Sequence, residues 1–257
     1  PITDNLSTQL AYNISREKYK FDKGCDPATC DVSQAIIDGV RQSPWIKSSI
    51  SAGLTYNTID DMKNPRSGIY ANFNTEFAGL GGDAKFVKVT GRASYYQMLS
   101  EQLDLVGLLS GGGGYVSSYG SGGLRVFDQF QSNDRMIRGF EYNGIGPFAY
   151  RNDLDHSKGI DHIGGTTYFN GSAEAQFPLP LIPESIGLRG AVFADAATLY
   201  GSKVEGVEKS STGLEWRASV GVGLMWASPF GPLRIDYAVP VKKSKGDQVQ
   251  EFNFGMS

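Results

Sequence analysis

Regular alternation of apolar and polar residues along ten segments constrains this chain more than any other feature. From Leu214 to Leu224 every second residue is apolar, and the residues between them are charged, serine or glycine. Because successive side chains of a β-strand point to opposite faces, this period of two predicts strands with one apolar face. The segments are 6–14, 46–58, 69–77, 85–97, 103–116, 165–177, 186–197, 214–226, 233–239 and 249–256. We therefore predict an all-β, antiparallel fold with about ten strands.

Several of these segments are long enough to cross a lipid bilayer. They reach the ~9–11 residues that a tilted transmembrane strand needs, whereas strands in soluble sheets usually have ~5–6 residues. Trp216 and Trp226 lie at the two ends of one apolar stripe, as in the aromatic girdles of membrane barrels. The pattern thus favours an antiparallel transmembrane β-barrel. The alternative, a soluble β-sandwich binding module, predicts shorter strands and fewer glycines on the polar faces.

Length, charge and hydropathy are consistent with a single membrane β-barrel domain over residues 1–257. The net charge of −3 gives no indication of a nucleic-acid surface. The mean hydropathy of −0.26 does not argue against a membrane barrel, because lipid-facing and lumen-facing residues cancel in the average. The sequence begins at Pro1 without a leader peptide, and we expect a processed or partial polypeptide.

The connections between the segments alternate in length. Short turns on one side and long loops on the other are typical of outer-membrane barrels. We therefore expect the long loops 15–45 and 117–164 to be extracellular, with a short helix from Asp31 to Val40 that ends at Gly39. The long connections are 15–45, 117–164, 199–213 and 241–248; the short ones are 59–68, 98–102, 178–185 and 227–232, and the link 80–84 is short but falls on the long side.

The two cysteines, Cys25 and Cys30, lie close together in the first long loop, beside Asp26 and Asp31. Such a pair forms either a disulfide or half of a metal site. No second pair of cysteines or histidines lies near it in the sequence, which argues against zinc. A disulfide fits an oxidising compartment outside the cytoplasm, and we predict one here.

The loop 117–164 contains the tetrad Ile137-Arg138-Gly139-Phe140. A guanidinium in a dry place needs an anionic partner, and Glu174 and Asp195 both fall on the polar faces of later strands. We predict that Arg138 pairs with Asp195, with Glu174 nearby, and that this clasp holds the loop inside the barrel. Gly139 allows the backbone to turn beside the wall. Phe140 is expected to pack on the lumen side against Phe193; the alternative is that Arg138 is a solvated loop charge.

The order of these motifs resembles the C-terminal barrel of the BamA family of outer-membrane assembly and secretion proteins. The tetrad is similar to the family's V/I-R-G-F/Y motif on the sixth extracellular loop, which folds back into the lumen. The segments 165–174, 193–197, 231–240 and 252–255 resemble, in order, the glycine-led strand with an inward glutamate, the F-x-D-x-G strand, and the last two strands. Ala197 replaces the last glycine of the F-x-D-x-G pattern. The long sixth loop and the sequence Gly-Pro-Leu-Arg-Ile-Asp favour the BamA branch over the TamA and two-partner secretion branches.

The resemblance implies a fold, a function and partners. The family barrel has about sixteen strands, an even number as in other single-chain outer-membrane barrels, and the ten here correspond to its C-terminal part. The implied activity is non-enzymatic insertion and folding of β-barrel proteins in the bacterial outer membrane, through a lateral seam whose closing strand contains Phe252, Phe254 and Gly255. The implied partners are the lipid bilayer with its lipopolysaccharide, unfolded β-barrel clients, and assembly lipoproteins that bind periplasmic domains absent from this sequence.

Enzymatic readings find little support in the sequence, and we predict neither a catalytic residue nor a cofactor. No G-x-S-x-G elbow or H-E-x-x-H motif occurs. His156 and His162 lie among Asp153, Asp155 and Asp161, a combination that can bind metal, but a solvated surface loop explains it better and no metal is predicted. The alternative function is a passive porin or a protein-secretion channel of the outer membrane.

Overall fold

A computed structural model describes residues 2–20, 32–120, 123–152, 154–204 and 209–255. Within these ranges, ten antiparallel strands of 4 to 15 residues form one sheet, in which each strand pairs with the sheet's next strand along the chain. The strands of the sheet are β1 (Leu6–Glu17), β2 (Trp45–Asn57), β3 (Gly68–Gly82), β4 (Phe86–Ser100), β5 (Leu105–Ser118), β8 (Thr167–Pro178), β9 (Leu188–Tyr200), β10 (Arg217–Ser228), β11 (Gly231–Lys242) and β12 (Phe252–Gly255). The predicted ten-stranded antiparallel fold is confirmed.

The two faces of the sheet differ in chemistry as the alternation predicts. The outward face carries exposed large apolar side chains on all ten strands, a distribution that suits lipid rather than water. The inward face carries polar and charged side chains that are nevertheless buried, among them Glu174, Asp195, Ser219 and Asp236. Buried polar side chains usually have partners: Arg138 of the long loop pairs with Glu174 and Asp195, and Arg234 of the wall pairs with Asp236.

Turns of two to ten residues join the strands at one end of the sheet, and the longest loops lie at the other end, although β3 and β4 are joined there by three residues alone. The turns between β2 and β3, β4 and β5, and β10 and β11 are brief, whereas β5 and β8 are separated by residues 119–166. This long loop contains the small hairpin of β6 (Phe148–Tyr150) and β7 (Ile160–His162). Among the described residues, no helix has the length and apolar character required to span a bilayer.

The loops at this end pack against each other around small apolar cores. The helix α1 (Gln34–Arg41) follows Ser33, whose backbone N–H donates to Asp161 of the long loop over 2.8 Å. The prediction that Gly39 ends this helix is wrong, because the helix continues to Arg41 and Gly39 lies against the ring of Phe127. One core is formed by Ala35, Val126, Ala149, Ile163 and Val204, which come from three different loops.

Candidate functional site

The Arg138 guanidinium lies against the inner wall of the sheet, where two carboxylates receive it. Its Nε and Nη2 donate to the two carboxylate oxygens of Asp195, each over 2.8 Å, and its Nη1 donates to Glu174 over 2.8 Å. The backbone N–H of Arg138 also donates to Asp195, over 3.1 Å. A bidentate pair of this kind is among the stronger charge-assisted interactions in proteins.

The strand register brings these acceptors together. Ser172 of β8 lies opposite Asp195 of β9, and Glu174 lies opposite Phe193. The Ser172 hydroxyl donates to Asp195 over 2.6 Å and accepts from Arg138 over 3.1 Å. The cross-strand pair of Ser172 and Asp195, together with Glu174 two residues along β8, therefore surrounds the Arg138 guanidinium with acceptors.

A second arginine on the wall shares the same glutamate. Arg234 of β11 donates through Nη2 to Glu174 over 2.5 Å and through Nε to Asp236 over 2.9 Å. The Gln176 amide also donates to Glu174, over 2.6 Å. We call Arg138, Ser172, Glu174, Asp195 and Arg234 the inner clasp.

Burial makes the inner clasp energetically important. The side chains of Glu174 and Asp195 are 2% and 3% exposed, and that of Arg138 is 13% exposed. Burial disfavours the charged guanidinium, but the hydrogen bonds and charges of Asp195 and Glu174 outweigh it and raise the pKa of Arg138 above its ordinary value. Arg138 therefore stays charged, and removal of either carboxylate would leave a partly buried charge with fewer partners.

The other residues of the tetrad fit the wall closely. Ile137 and Phe140 are buried in an apolar cluster with Met136, Ile145 and Leu199. Gly139 has a positive φ of 96°, a conformation that favours glycine. A Cβ on it would lie 3.4 Å from the Cβ atoms of Ser219 and Ala238, so the loop backbone approaches β10 and β11 at contact distance.

Phe193 contacts a different partner from the one expected. The Arg138 guanidinium carbon lies 3.5 Å from the centroid of the Phe193 ring, a cation–π contact. Phe140 packs instead in the cluster of Ile137 and Leu199. A Cβ at position 221 of β10 would meet the Phe193 ring at 2.5 Å, so Gly221 makes room for the ring that supports Arg138.

A second ion pair is buried under the outer loops, and we call Arg217 and Asp247 the outer pair. Arg217 donates through Nε and Nη2 to the carboxylate of Asp247 over 3.0 and 3.1 Å, and both side chains are 0% exposed. The pair attaches the loop between β11 and β12 to the first residue of β10. Neither this pair nor the contact of Arg234 with Glu174 was predicted from the sequence, although Arg217 and Arg234 both lie on the polar faces of predicted strands.

The remaining predicted residues lie apart from the inner clasp. Phe252 and Phe254 of β12 point outward and are 67% and 68% exposed, and β12 pairs with β11 alone in the described sheet. Cys25 and Cys30 lie outside the described residues. His162 is buried and its pKa is lowered by burial, whereas His156 stacks on Tyr150. Among the described residues, no group of three His, Cys, Asp or Glu side chains could hold a metal ion.

The apolar outward face, the polar inward face and the loop held on the inner wall define the wall of an outer-membrane β-barrel with an internally clasped loop. The whole chain, residues 1–257, matches the Omp85 superfamily domain. The chain belongs to the Omp85 superfamily, and its resemblance to the BamA family is confirmed by the relatives described next. It is a protein of the bacterial outer membrane.

The similar proteins are assembly factors by name. The chain is 34% identical over 257 residues to the outer membrane protein assembly factor BamA of Neorickettsia risticii, covering 99% of this chain and 32% of that protein. It is 28% identical to BamA of Neisseria meningitidis serogroup B, covering 79% of this chain and 28% of that protein. The human sorting and assembly machinery component 50 homolog is 29% identical, covering 79% of this chain and 43% of that protein.

A solved structure shows the same fold. The crystal structure of BamA from Haemophilus ducreyi lacking POTRA domains 1–3 matches with a TM-score of 0.76 and 25% identity, covering 99% of this chain and 51% of that one. The chain spans about a third of the length of the two BamA relatives.

Proposed function

We propose that this chain is the C-terminal part of the membrane barrel of an outer-membrane protein assembly factor, which inserts and folds other β-barrel proteins without enzymatic chemistry. The observation that carries the proposal is the inner clasp, which holds a loop against the inner wall and, through Arg234, joins it to β11, the neighbour of the last described strand. A passive pore needs no such attachment between a loop and the closing strands. The similarity to proteins named as assembly factors supports the same conclusion.

The proposed mechanism uses the backbone of the edge strand. A strand at the edge of a sheet presents unpaired N–H and C=O groups that can pair with an added strand. In a bilayer these groups find no water, so an incoming strand is a strongly favoured partner. The exposed Phe252 and Phe254 side chains on the lipid side of β12 keep such pairing within the membrane.

In this proposal the inner clasp is a brace that keeps the wall and the loop in one arrangement during client insertion. Arg138 joins β8 to β9 through Glu174 and Asp195, and Arg234 extends the network to β11. The clasp thus connects the loop to three of the last five strands of the described sheet. Movement of the closing strands would be resisted through this network.

The proposed partners follow from the chemistry of the surfaces and from the relatives. The apolar outward face fits the lipid bilayer, and Lys242, Lys243 and Lys245 at the outer end of β11 suit the phosphates of lipopolysaccharide. Unfolded β-barrel proteins would be the clients. Accessory lipoproteins would bind through periplasmic domains that precede this barrel in the longer relatives.

The test is complementation by the full-length protein in cells depleted of their own copy. We expect Arg138→Ala to reduce the assembly of other outer-membrane barrels, whereas Arg151→Ala, which removes an exposed arginine of the same loop, should have little effect. Assembly is measured as the folded fraction of a reporter barrel. Full assembly by Arg138→Ala, with unchanged protection of the loop from protease, would contradict the proposal.

The channel alternative gives a different result in a second measurement. Purified full-length protein in planar bilayers would show steady, ion-selective conductance if it were a porin or secretion channel. An assembly factor should instead fold an added, urea-denatured barrel protein into liposomes. Steady conductance without client folding would favour the channel.

A further inference from the structure

The segment that leads into β12 is hydrogen-bonded to the loop that contains the tetrad Ile137-Arg138-Gly139-Phe140, which we call the tetrad loop. Val249 and Phe140 form an isolated antiparallel bridge. The N–H of Glu141 donates to Gln248 O over 2.9 Å, and the N–H of Gln250 donates to Gly139 O over 3.1 Å. The loop carrying Arg138 thus forms a short two-stranded pairing with residues 248–250, which we call the strap.

The strap uses one particular edge of the closing strand. The N–H of Ala238 in β11 donates to Glu251 O over 2.8 Å, and Asp236 lies opposite Asn253. Backbone groups of residues 251 and 253 therefore face β11. Because successive residues of a strand direct these groups to alternate sides, those of Gln250 and Phe252 face away from β11, toward the seam.

The tetrad loop therefore occupies the upper end of the edge that the proposed function assigns to client strands. Its hydrogen bonds use the seam-facing groups of Gln248 and Gln250. The next seam-facing carbonyl, that of Phe252, accepts from the side-chain amide of Gln250 over 3.0 Å. An added strand can pair at Phe252 and below, but at Gln250 and above it meets a position that is already filled.

Strand β11 contributes little that would hold this upper segment in its place. In the same register, Pro240 would lie opposite Val249, and proline has no N–H to donate. Pro232, at the other end of β11, shares this orientation, so the N–H donors of β11 toward β12 come from Arg234, Asp236 and Ala238. The strap is therefore a main attachment of residues 248–250.

We propose that the tetrad loop and an incoming client strand compete for the seam-facing backbone of residues 248–250. A client strand that zips upward along β12 must displace the hydrogen bonds of Gly139 and Glu141. This displacement moves Gly139, the residue next to Arg138. The addition of a strand would therefore strain the contacts of the inner clasp directly. This inference rests on the proposed function and specifies which contact inside the protein a client breaks.

The first experiment follows backbone amide exchange in the full-length protein in lipid nanodiscs. The probe is a urea-denatured barrel protein with a cysteine in its first or its last strand, and its arrival at the strap is recorded as a disulfide to Gln250→Cys. We expect the Glu141 amide to exchange about two- to tenfold faster once the client is attached, as for the loss of one hydrogen bond. A client joined to residue 250 with Glu141 still fully protected, or one that reaches Phe252→Cys but never residue 250, would overturn the competition but leave the proposed function intact. A client that reaches neither position would overturn both.

The second experiment uses variants that release or lock the strap. Glu141→Pro removes the N–H that donates to Gln248, whereas Glu141→Ala keeps it and is the matched control. We expect Glu141→Pro, but not Glu141→Ala, to speed amide exchange at residues 248–250 and to speed attachment of the client. In Phe140→Cys/Val249→Cys, which bridges a closely spaced cross-strand pair, the oxidised form should attach the client several-fold more slowly than the same protein after reduction. Equal rates in the oxidised and reduced forms, or equal rates for the proline and alanine variants, would contradict the competition.

Discussion

The inner clasp and the outer pair both attach a loop to the sheet through an arginine, but they are built differently. The outer pair is one guanidinium and one carboxylate, each 0% exposed. The inner clasp links two arginines through a shared Glu174, and Arg138 is partly exposed to the lumen. The other partners of the outer pair are local: Arg217 donates to Glu215 O over 2.9 Å and lies 3.9 Å from its half-exposed carboxylate, and Asp247 accepts from the Ser244 N–H over 2.7 Å. Neither member shares a second buried charge with another strand, so the pair holds one arrangement. A network with shared partners can lose one contact and keep others, so the inner clasp can keep the loop in place even when one of its contacts is strained during client insertion.

The largest expected effect is at the outer pair. Arg217→Met leaves the Asp247 carboxylate buried without its partner, which costs about 3–5 kcal/mol. We expect loss of folded protein in detergent, measured by urea unfolding. The double variant Arg217→Met/Asp247→Leu removes both charges and should recover most of that stability. If Arg217→Met were as stable as the wild type, the expected cost of leaving Asp247 buried without Arg217 would be contradicted.

The next effect is at Arg138. Arg138→Ala should destabilise the closed position of the loop by about 2–3 kcal/mol, because it removes charge-assisted hydrogen bonds to buried acceptors, but the sheet should remain folded. Protease cleavage within residues 134–140 measures the loop, and urea unfolding measures the sheet. Arg138→Lys keeps the charge without the bidentate geometry and should fall between. If Arg138→Ala and Arg217→Met lowered the stability of the sheet equally, the proposed difference between the inner clasp and the outer pair would be contradicted.

A smaller effect is expected at the shared acid. Glu174→Gln keeps the shape of the side chain but removes the charge that Arg138 and Arg234 share. Because Asp195 and Asp236 still pair with the two arginines, we expect a loss of about 1–2 kcal/mol in loop closure. The same protease assay checks it. If Glu174→Gln weakened loop closure as much as Arg138→Ala, the remaining contacts of Asp195 and Asp236 would not compensate for the lost charge.

The cation–π contact should contribute less again. Phe193→Leu retains an apolar side chain but removes the ring that lies 3.5 Å from the guanidinium carbon of Arg138. We expect loop closure to weaken by about 1 kcal/mol. Amide exchange of residues 137–140 is the readout. No change in exchange would assign Phe193 a packing role alone.

The smallest effect concerns pH near the outer pair. Burial lowers the pKa of His162 below its ordinary value of 6.5, and Asp247, Arg217 and Asp161 act on it electrostatically. The opened loop therefore binds a proton more readily than the closed loop. The stability from neutral His162 is complete above pH 6.5 and declines as the pH falls below it. The protection factor of residues 160–163, which corrects for the intrinsic pH dependence of amide exchange, should fall between pH 7.5 and 5.5 by no more than about tenfold, and His162→Asn should remove this dependence.

Much of the fold could be predicted from the sequence, because alternation is a local property. Each strand shows its two faces within ten or so residues, and Leu214–Leu224 does so clearly. The hairpin of β6 and β7 was not predicted, since segments of three residues are too short for a period of two to be recognised. The prediction of a disulfide between Cys25 and Cys30 lies outside the described residues and stays a prediction.

The part of the candidate site that could be predicted is the pairing of a loop arginine with acidic residues on the polar faces of predicted strands. Arg138, Glu174 and Asp195 could be proposed together because both acids lie on polar strand faces and the tetrad resembles a family motif. Arg234 was missed because its contact with Glu174 joins strands that are not neighbours. Asp247 was missed because its burial comes from loop packing, which alternation does not record.

The most direct test of the central claim is a double-mutant cycle between Arg138 and Asp195 in the full-length protein. Amide exchange of residues 134–140 would be measured for Arg138→Ala, Asp195→Ala and the double variant. If the loop is held by this pair, the double variant should exchange little faster than either single variant, because the second change removes a contact that is already lost. Strictly additive effects would contradict the account and show that the loop is held by other contacts.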